Sequence, residues 1–271
     1  MSRHPDFKTL EASRPAFPEQ KLVYSKTPNP DWKPCTPAPT NNHTHISLDP
    51  NDPARAPGEN YKLLISAVVP RPVGFVSTVS PSGHRNLAPF SYFQVANHDP
   101  PIFTIGFAGE NDKDSLRNLK ETRECTINII SEDFIEAANY CSVDSPPEVS
   151  EWDLSGLTPA ETEFVKAPRV KESVFAVECQ LVHTHEWTSK RSGKKTGVLA
   201  IVEGVKFWVR DDAYKNGMLD LEVLKPVARM GGVTYAMTRG VWELPRPRYE
   251  EERKNPDVKA VEDKGKQNGS L

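Results

Sequence analysis

The stretch with the most suggestive chemistry is RPVGFVSTVSPSGHRNLAPFSYF, Arg71 to Phe93. It reads as two short strands around a Pro81-Ser82-Gly83 turn. In the first strand Val73, Phe75, Ser77 and Val79 fall on one face, and Gly74, Val76, Thr78 and Ser80 on the other. The second, Asn86 to Val95, is interrupted by Pro89, which removes a ladder donor and so places the strand at an edge or a bend. Ala88 has almost no side chain, so a flat ligand can lie on the backbone there. Unpaired main-chain groups would read the rim of a planar heterocycle, with Thr78, Asn86 and Ser91 as neutral partners. One strand further on, DKDSLRN opens a helix. The first turn of a helix offers unpaired N–H groups and a positive dipole end, where a phosphate can sit. Ser115 would add a hydroxyl, Lys113 and Arg117 charge. Each feature alone has a plainer reading: a bulged edge strand without a ligand, and a capped helix with solvated charges. A heterocycle platform and an anion site separated by one strand make the stronger joint case.

Other chemistries find less support. His183 and His185 alternate with Cys179 on one strand face, a spacing that can bind metal, but a satisfied surface pair is the simpler reading. There is no G-x-S-x-G elbow, and GENDKDS lacks the Gly-Lys-Ser/Thr core of a phosphate loop. Glu148, Glu151 and Asp153 read as a solvated acidic loop. The basic turn with Lys190, Arg191, Lys194 and Lys195 is read as engaging no ligand.

These candidates must be positioned by a folded middle. The chain has 271 residues, 37% of them hydrophobic, enough for a real core. With 34 basic and 37 acidic residues the net charge is -3, which gives no electrostatic case for nucleic acid or an anionic membrane. Cys35, Cys125, Cys141 and Cys179 show no CxxC spacing, and the start lacks an apolar signal region, so a cytoplasmic location is expected. Residues 1–58 hold 11 of the 25 prolines and should form an extended or disordered arm, in which Phe17, Val23, Tyr24 and Trp32 could dock. Residues 245–271 are charged, nearly free of apolar residues, and expected to be disordered. Between them, residues 59–244 alternate strand signals with a few short helices and end in two long strands joined by SKRSGKK. The absence of a βαβ rhythm indicates a mainly β, antiparallel barrel or roll.

Five blocks in order, RPVGFVSTVSPSGHRNLAPFSYF, DPP, KDSLRN, CSVDSPPEVSEWDLSGLT and KPVARMGGVTYA, closely resemble the flavin reductase-like proteins with an FMN-binding split barrel. The resemblance covers roughly residues 59 to 236. It implies a six-stranded antiparallel split barrel with Greek-key character, a homodimer, and FMN near the dimer interface. Carried over position by position, Arg71, Ser77, Thr78, Asn86, Ala88, Pro89, Phe90 and Ser91 would surround the isoalloxazine and ribityl chain. Lys113, Ser115 and Arg117 would meet the phosphate. Arg229, Gly231, Gly232 and Tyr235 match an Arg-x-Gly-Gly-x-x-Tyr block that closes one side of the pocket, Gly232 and Tyr235 being the expected contacts.

The function this implies is an FMN-dependent oxidoreductase that passes hydride from NADH or NADPH to flavin N5 and on to an acceptor. No dinucleotide fingerprint is present to separate NADH from NADPH. Backbone N–H groups near Pro89 to Ser91 and the Thr78 hydroxyl would tune the flavin, and no side chain is nominated as catalytic acid or base. The alternative expectation is a non-catalytic FMN-binding or partner-binding module whose proline-rich arm covers the pocket.

Overall fold

The computed structural model describes residues 7–19, 21–40, 42–56, 58–146 and 148–268. It divides into two units, one of residues 38–238 and one that joins residues 1–37 to 239–271. The expectations placed on residues 1–6 and 269–271 lie outside the described residues.

The smaller unit has a helix at Phe7–Ala12 and a parallel pairing of Val23–Tyr24 with Gly240–Val241. Its end departs from the disorder expected of residues 245–271, with helices at Tyr249–Glu252 and Pro256–Asn268. The longer helix starts with Pro256 in the first turn, the Asn255 side chain accepts from the Asp257 N–H, and Lys266 pairs with Glu262 one turn away. Scarce apolar residues exclude a core, but they do not exclude a capped, ion-paired helix.

In the larger unit, a seven-stranded antiparallel sheet holds β1 (Gly74–Val79), β2 (Arg85–Phe90), β3 (Phe93–His98), β4 (Pro101–Ala108), β5 (Glu124–Ile129), β6 (Phe175–Thr188) and β7 (Lys195–Val209). Their order is β2-β1-β5-β6-β7-β4-β3. The helices are α1 (Glu59–Ala67), α2 (Asp114–Thr122), α3 (Ile135–Tyr140) and α4 (Glu151–Ser155). A small three-stranded sheet pairs Val227–Arg229 with Arg71–Pro72 and with Tyr235–Met237. No helix among the described residues is long and apolar enough to cross a membrane.

The architecture is mainly β, but the sheet has seven strands where six were expected, and its ladder does not close into a barrel. The extra strand comes from the segment Asn86–Val95, expected as one broken strand. It is two strands on opposite edges of the sheet, joined through Ser91 and Tyr92. The edges approach because the sheet curls. Phe90 of β2 packs edge-on against Phe107 of β4 at 4.7 Å, and a Cβ on Gly74 of β1 would stand 2.8 Å from the Phe93 ring of β3.

β1 is buried on both faces, as its uncharged sequence allows. Val76 joins a core inside the curl with Ile105, Leu119, Ile127 and Val202. Phe75 faces a second core with Leu87, Phe134, Ala138 and Trp152, beneath α3 and α4.

Glu178 of β6 is fully buried and charged. Its carboxylate accepts from the backbone N–H of Glu163, Phe164 and Val165 at 2.9, 2.6 and 3.0 Å and from the Trp208 indole at 2.6 Å. Burial alone would raise its pKa, but these donors hold it below the ordinary 4.5. Its contribution to stability is therefore complete above pH 4.5 and is lost as the pH falls through the lower folded value. Glu178→Ala should cost about 3 kcal/mol or more at neutral pH, because it strands several buried donors. Denaturant titrations at neutral and acidic pH should show wild type losing more stability with acid than Glu178→Gln does; equal acid sensitivity would refute this role.

Candidate functional site

β2 lies at the sheet edge, as its proline requires. Leu87 N–H donates outward to Glu151 Oε2 at 3.3 Å, so Leu87 takes no part in the ladder through its N–H. Strand parity then turns Pro89 outward too, and Asn86, Ala88 and Phe90 inward to β1. Pro89 thus deprives the ladder of nothing, a correction to the reading that it removes a ladder donor. The outward rim of β2 presents the Pro89 carbonyl to the cleft, with no N–H beside it, while Leu87 is fully buried. Of the N–H groups expected at Pro89 to Ser91, Pro89 has none, Phe90 faces the ladder, and Ser91 alone is uncommitted.

This rim borders a cleft of about 660 Å³. Arg71, Asn86, Ala88, Pro89, Phe90 and Ser91 line it, and so do Lys113, Ser115, Gly232 and Tyr235. Ten of the thirteen expected positions thus meet in one place. Ser77 and Thr78 do not line it: both are fully buried in β1. Thr78 Oγ1 accepts from Asn118 Nδ2 at 3.2 Å, which fastens α2 to the sheet. Arg117 turns away, pairs with Asp114, and lines a neighbouring depression with Arg85 and His84.

Helix α2 brings its first turn to the cleft. Lys113, in extended conformation, makes no side-chain cap, so the N–H groups at the helix start have no such partner. Asn86 Nδ2 donates to Ser115 Oγ at 2.7 Å, which leaves the Ser115 proton to donate elsewhere. The loop before α2 is pinned by ion pairs: Asp112 meets Lys195 and, at 2.8 Å, Lys120, while Lys120 also meets Glu186 at 3.2 Å. Burial would raise the Asp112 pKa, but its two lysine partners hold it below the usual carboxylate range. The basic turn is therefore partly structural, Arg191 also donating to the Pro53 and Arg55 carbonyls.

On another wall Tyr235 donates to Asn139 Oδ1 at 2.9 Å, and Arg229 lies 4.4 Å from its ring centroid. Cys141 is buried, and desolvation pushes its thiol up to about 11, so it stays neutral. Glu151, expected in a solvated loop, is buried between the Leu87 N–H and the Ser145 hydroxyl, which donates to Oε1 at 2.6 Å. It escaped sequence reasoning because its partner is a backbone group 64 residues away. The one available signal was Pro89 itself, whose edge position leaves a neighbouring outward N–H in need of an acceptor.

A mainly β sheet curled around a core, with a cleft along its open edge and a helix start at one wall, is a fold similar to that of the split-barrel proteins. The model of the family described as flavin reductase like domain matches residues 66–224, and the chain belongs to that family. An uncharacterized protein of Halalkalibacterium halodurans is 36% identical over 211 residues, 77% of this chain and 100% of that one. Nitrilotriacetate monooxygenase component B from Bacillus cereus has a similar structure, with 33% identity, a TM-score of 0.71, and coverage of 74% of this chain and 100% of that one. The 2-nitrobenzoate 2-nitroreductase of Pseudomonas fluorescens is 26% identical with a TM-score of 0.65, covering 76% and 98%.

The orientation of Pro89 is testable by a pair of substitutions. Pro89→Ala should change stability by no more than about 0.5 kcal/mol. Ala88→Pro, one residue away but facing the ladder, should cost about 3 kcal/mol. Similar losses in both, measured by denaturant unfolding, would show that the strand is turned the other way.

Proposed function

We propose that this chain is an oxidoreductase that holds FMN in the cleft and uses NADH or NADPH as hydride donor. The observation that carries this reading is the uncapped start of α2, with Lys113 and Ser115, opening into the same cleft as the acceptor rim of β2. The residues fit the cofactor. The helix start and Lys113 suit a phosphate, the Ser115 hydroxyl has a proton to give it, and the Pro89 carbonyl suits a donor such as a ribityl hydroxyl. Ala88 and Gly106 keep the floor low, and Phe90, Tyr92 and Tyr235 provide apolar walls that exclude water. The volume falls within the roughly 300–1,000 Å³ of ligand pockets.

Held by Lys113, Ser115 and the rim of β2, a flavin would supply the two-electron chemistry between the nucleotide donor and a second acceptor. The chain's own part is binding and orientation. Asn86 fixes the Ser115 hydroxyl, the Asp112 ion pairs fix the loop leading to Lys113, and the neutral Cys141 thiol leaves the redox chemistry to the cofactor. We extend the proposal to a homodimer, supported by the exposed apolar side chains Tyr61, Leu64 and Val68 around α1, of which Tyr61 borders the cleft. The free thiols of all four cysteines support a cytoplasmic setting.

Anaerobic titration of the FMN-loaded protein with NADH and NADPH should bleach the flavin absorption faster than for free FMN. Bound flavin that neither nucleotide bleaches would remove the reductase reading while leaving the binding site. Lys113→Gln combined with Ser115→Ala should weaken FMN affinity about tenfold or more. Unchanged affinity would move the phosphate elsewhere.

A further inference from the structure

Arg71 and Arg229 are directly opposed in the register between Arg71–Pro72 and Val227–Arg229. Their side chains therefore leave the same face of that small sheet, with Cβ atoms roughly 5 Å apart. Both line the cleft. Like charges directly opposite one another destabilise a sheet, and here no carboxylate relieves them: neither arginine makes an ion pair among the described residues.

The two differ in what they have left to give. Arg71, only 7% exposed, donates to the carbonyls of Ile65, Val68 and Met230 at 2.7, 2.7 and 2.9 Å, and to Ser91 Oγ at 3.5 Å. Those acceptors are neutral, so its charge stays uncompensated while most of its donors are consumed. Arg229 makes a single hydrogen bond, Nη2 to the Gly232 carbonyl at 3.0 Å. Gly232 sits at φ 62°, a conformation that disfavours a side chain, and so can turn that carbonyl to the arginine. The Tyr235 ring holds the guanidinium plane, leaving Nε and Nη1 uncommitted. Of the five carboxylates that line the cleft, four are engaged elsewhere: Glu110 with Lys194, Asp112 with Lys120 and Lys195, Asp114 with Arg117, and Glu151 with Leu87 and Ser145; the fifth, the exposed Asp144, forms no ion pair with either arginine.

We propose that Arg229, backed by the buried charge of Arg71, is the specificity residue that recognises an oxyanion on the second substrate, the molecule that exchanges electrons with the bound cofactor. This rests on the FMN reading above, in which the start of α2 takes the cofactor's phosphate and leaves the arginine pair without an anion. The substrate class is a planar molecule bearing a phosphate or carboxylate, either the pyrophosphate of a nicotinamide nucleotide or the acid group of an aromatic acceptor. Nη2 gives only one of its two protons to Gly232, and its other N–H lies parallel to that of Nε or of Nη1, a fork that suits bidentate binding of either group.

The test titrates oxidised, FMN-loaded protein calorimetrically with ADP-ribose and, separately, with benzoate, in wild type, Arg229→Gln and Arg229→Lys. FMN affinity is measured in parallel by fluorescence quenching. At least one probe should bind wild type, weaken about tenfold or more in Arg229→Gln and recover in part in Arg229→Lys. FMN affinity should change less than about threefold. Loss of ADP-ribose binding would assign the pyrophosphate, and loss of benzoate binding the carboxylate. Failure of both probes to bind wild type would overturn the proposal, as would equal binding by Arg229→Gln. A fall in FMN affinity matching the fall in probe affinity would overturn it too, making Arg229 a flavin anchor. If wild type binds no FMN, the functional reading fails instead, and the same comparison of wild type with Arg229→Gln on the unloaded protein still decides the role of Arg229.

Discussion

Two strands that follow one another in sequence lie on opposite edges of a seven-stranded sheet, with only Ser91 and Tyr92 between them. Laid flat, the sheet would separate those edges by about 29 Å at the usual strand spacing. The link from Phe90 to Phe93 reaches no more than about 11 Å. The sheet must therefore curl until β2 and β3 nearly meet, and everything else follows that demand. Gly106 accepts the link at close quarters: its N–H donates to the Tyr92 carbonyl at 2.6 Å, and a Cβ there would stand 2.8 Å from the Tyr92 Cβ. The gap that remains beside the link is the cleft.

The polar wiring of the cleft reflects the same economy of few, well-buried contacts. Two amide side chains, Asn86 and Asn118, fasten α2 to β2 and β1 through Ser115 and Thr78. Each is buried and each satisfies a hydroxyl, so the helix start is held at a fixed place relative to the strand edge. A ligand that touches both the helix start and the β2 rim meets a preformed arrangement, which lowers the ordering cost of binding.

Much of this was legible in the sequence, because the informative residues act locally. Pro89 announced an edge strand, and Asp114 to Asn118 announced a helix opening near it. The resemblance placed both in a flavin reductase-like frame, which the family match supports. What the sequence hid depends on distant partners. Thr78 looked like a ligand contact since strand alternation gives its face but not what covers that face, and α2 covers it. Glu151 looked solvated since its acceptor role is set by an N–H within a strand far away in the chain. The strand count slipped from seven to six because a proline-broken segment reads as one interrupted strand, and nothing local shows that its halves pair with different neighbours. The terminal helix at Pro256–Asn268 was missed for the opposite reason, since composition speaks of burial and not of capping.

The rim of β2 has a second consequence, for how the protein keeps company with other chains. An exposed strand edge is a template for unwanted pairing with a neighbour's backbone. A strand approaching β2 would find the Leu87 N–H already covered by a buried carboxylate and, two residues on, a proline with no donor to offer. Its own carbonyls would face acceptors. The pattern that suits a ligand rich in donors thus also blocks the continuous ladder that aggregation needs, so the open seam of this sheet stays available to a small molecule while remaining closed to another β-strand.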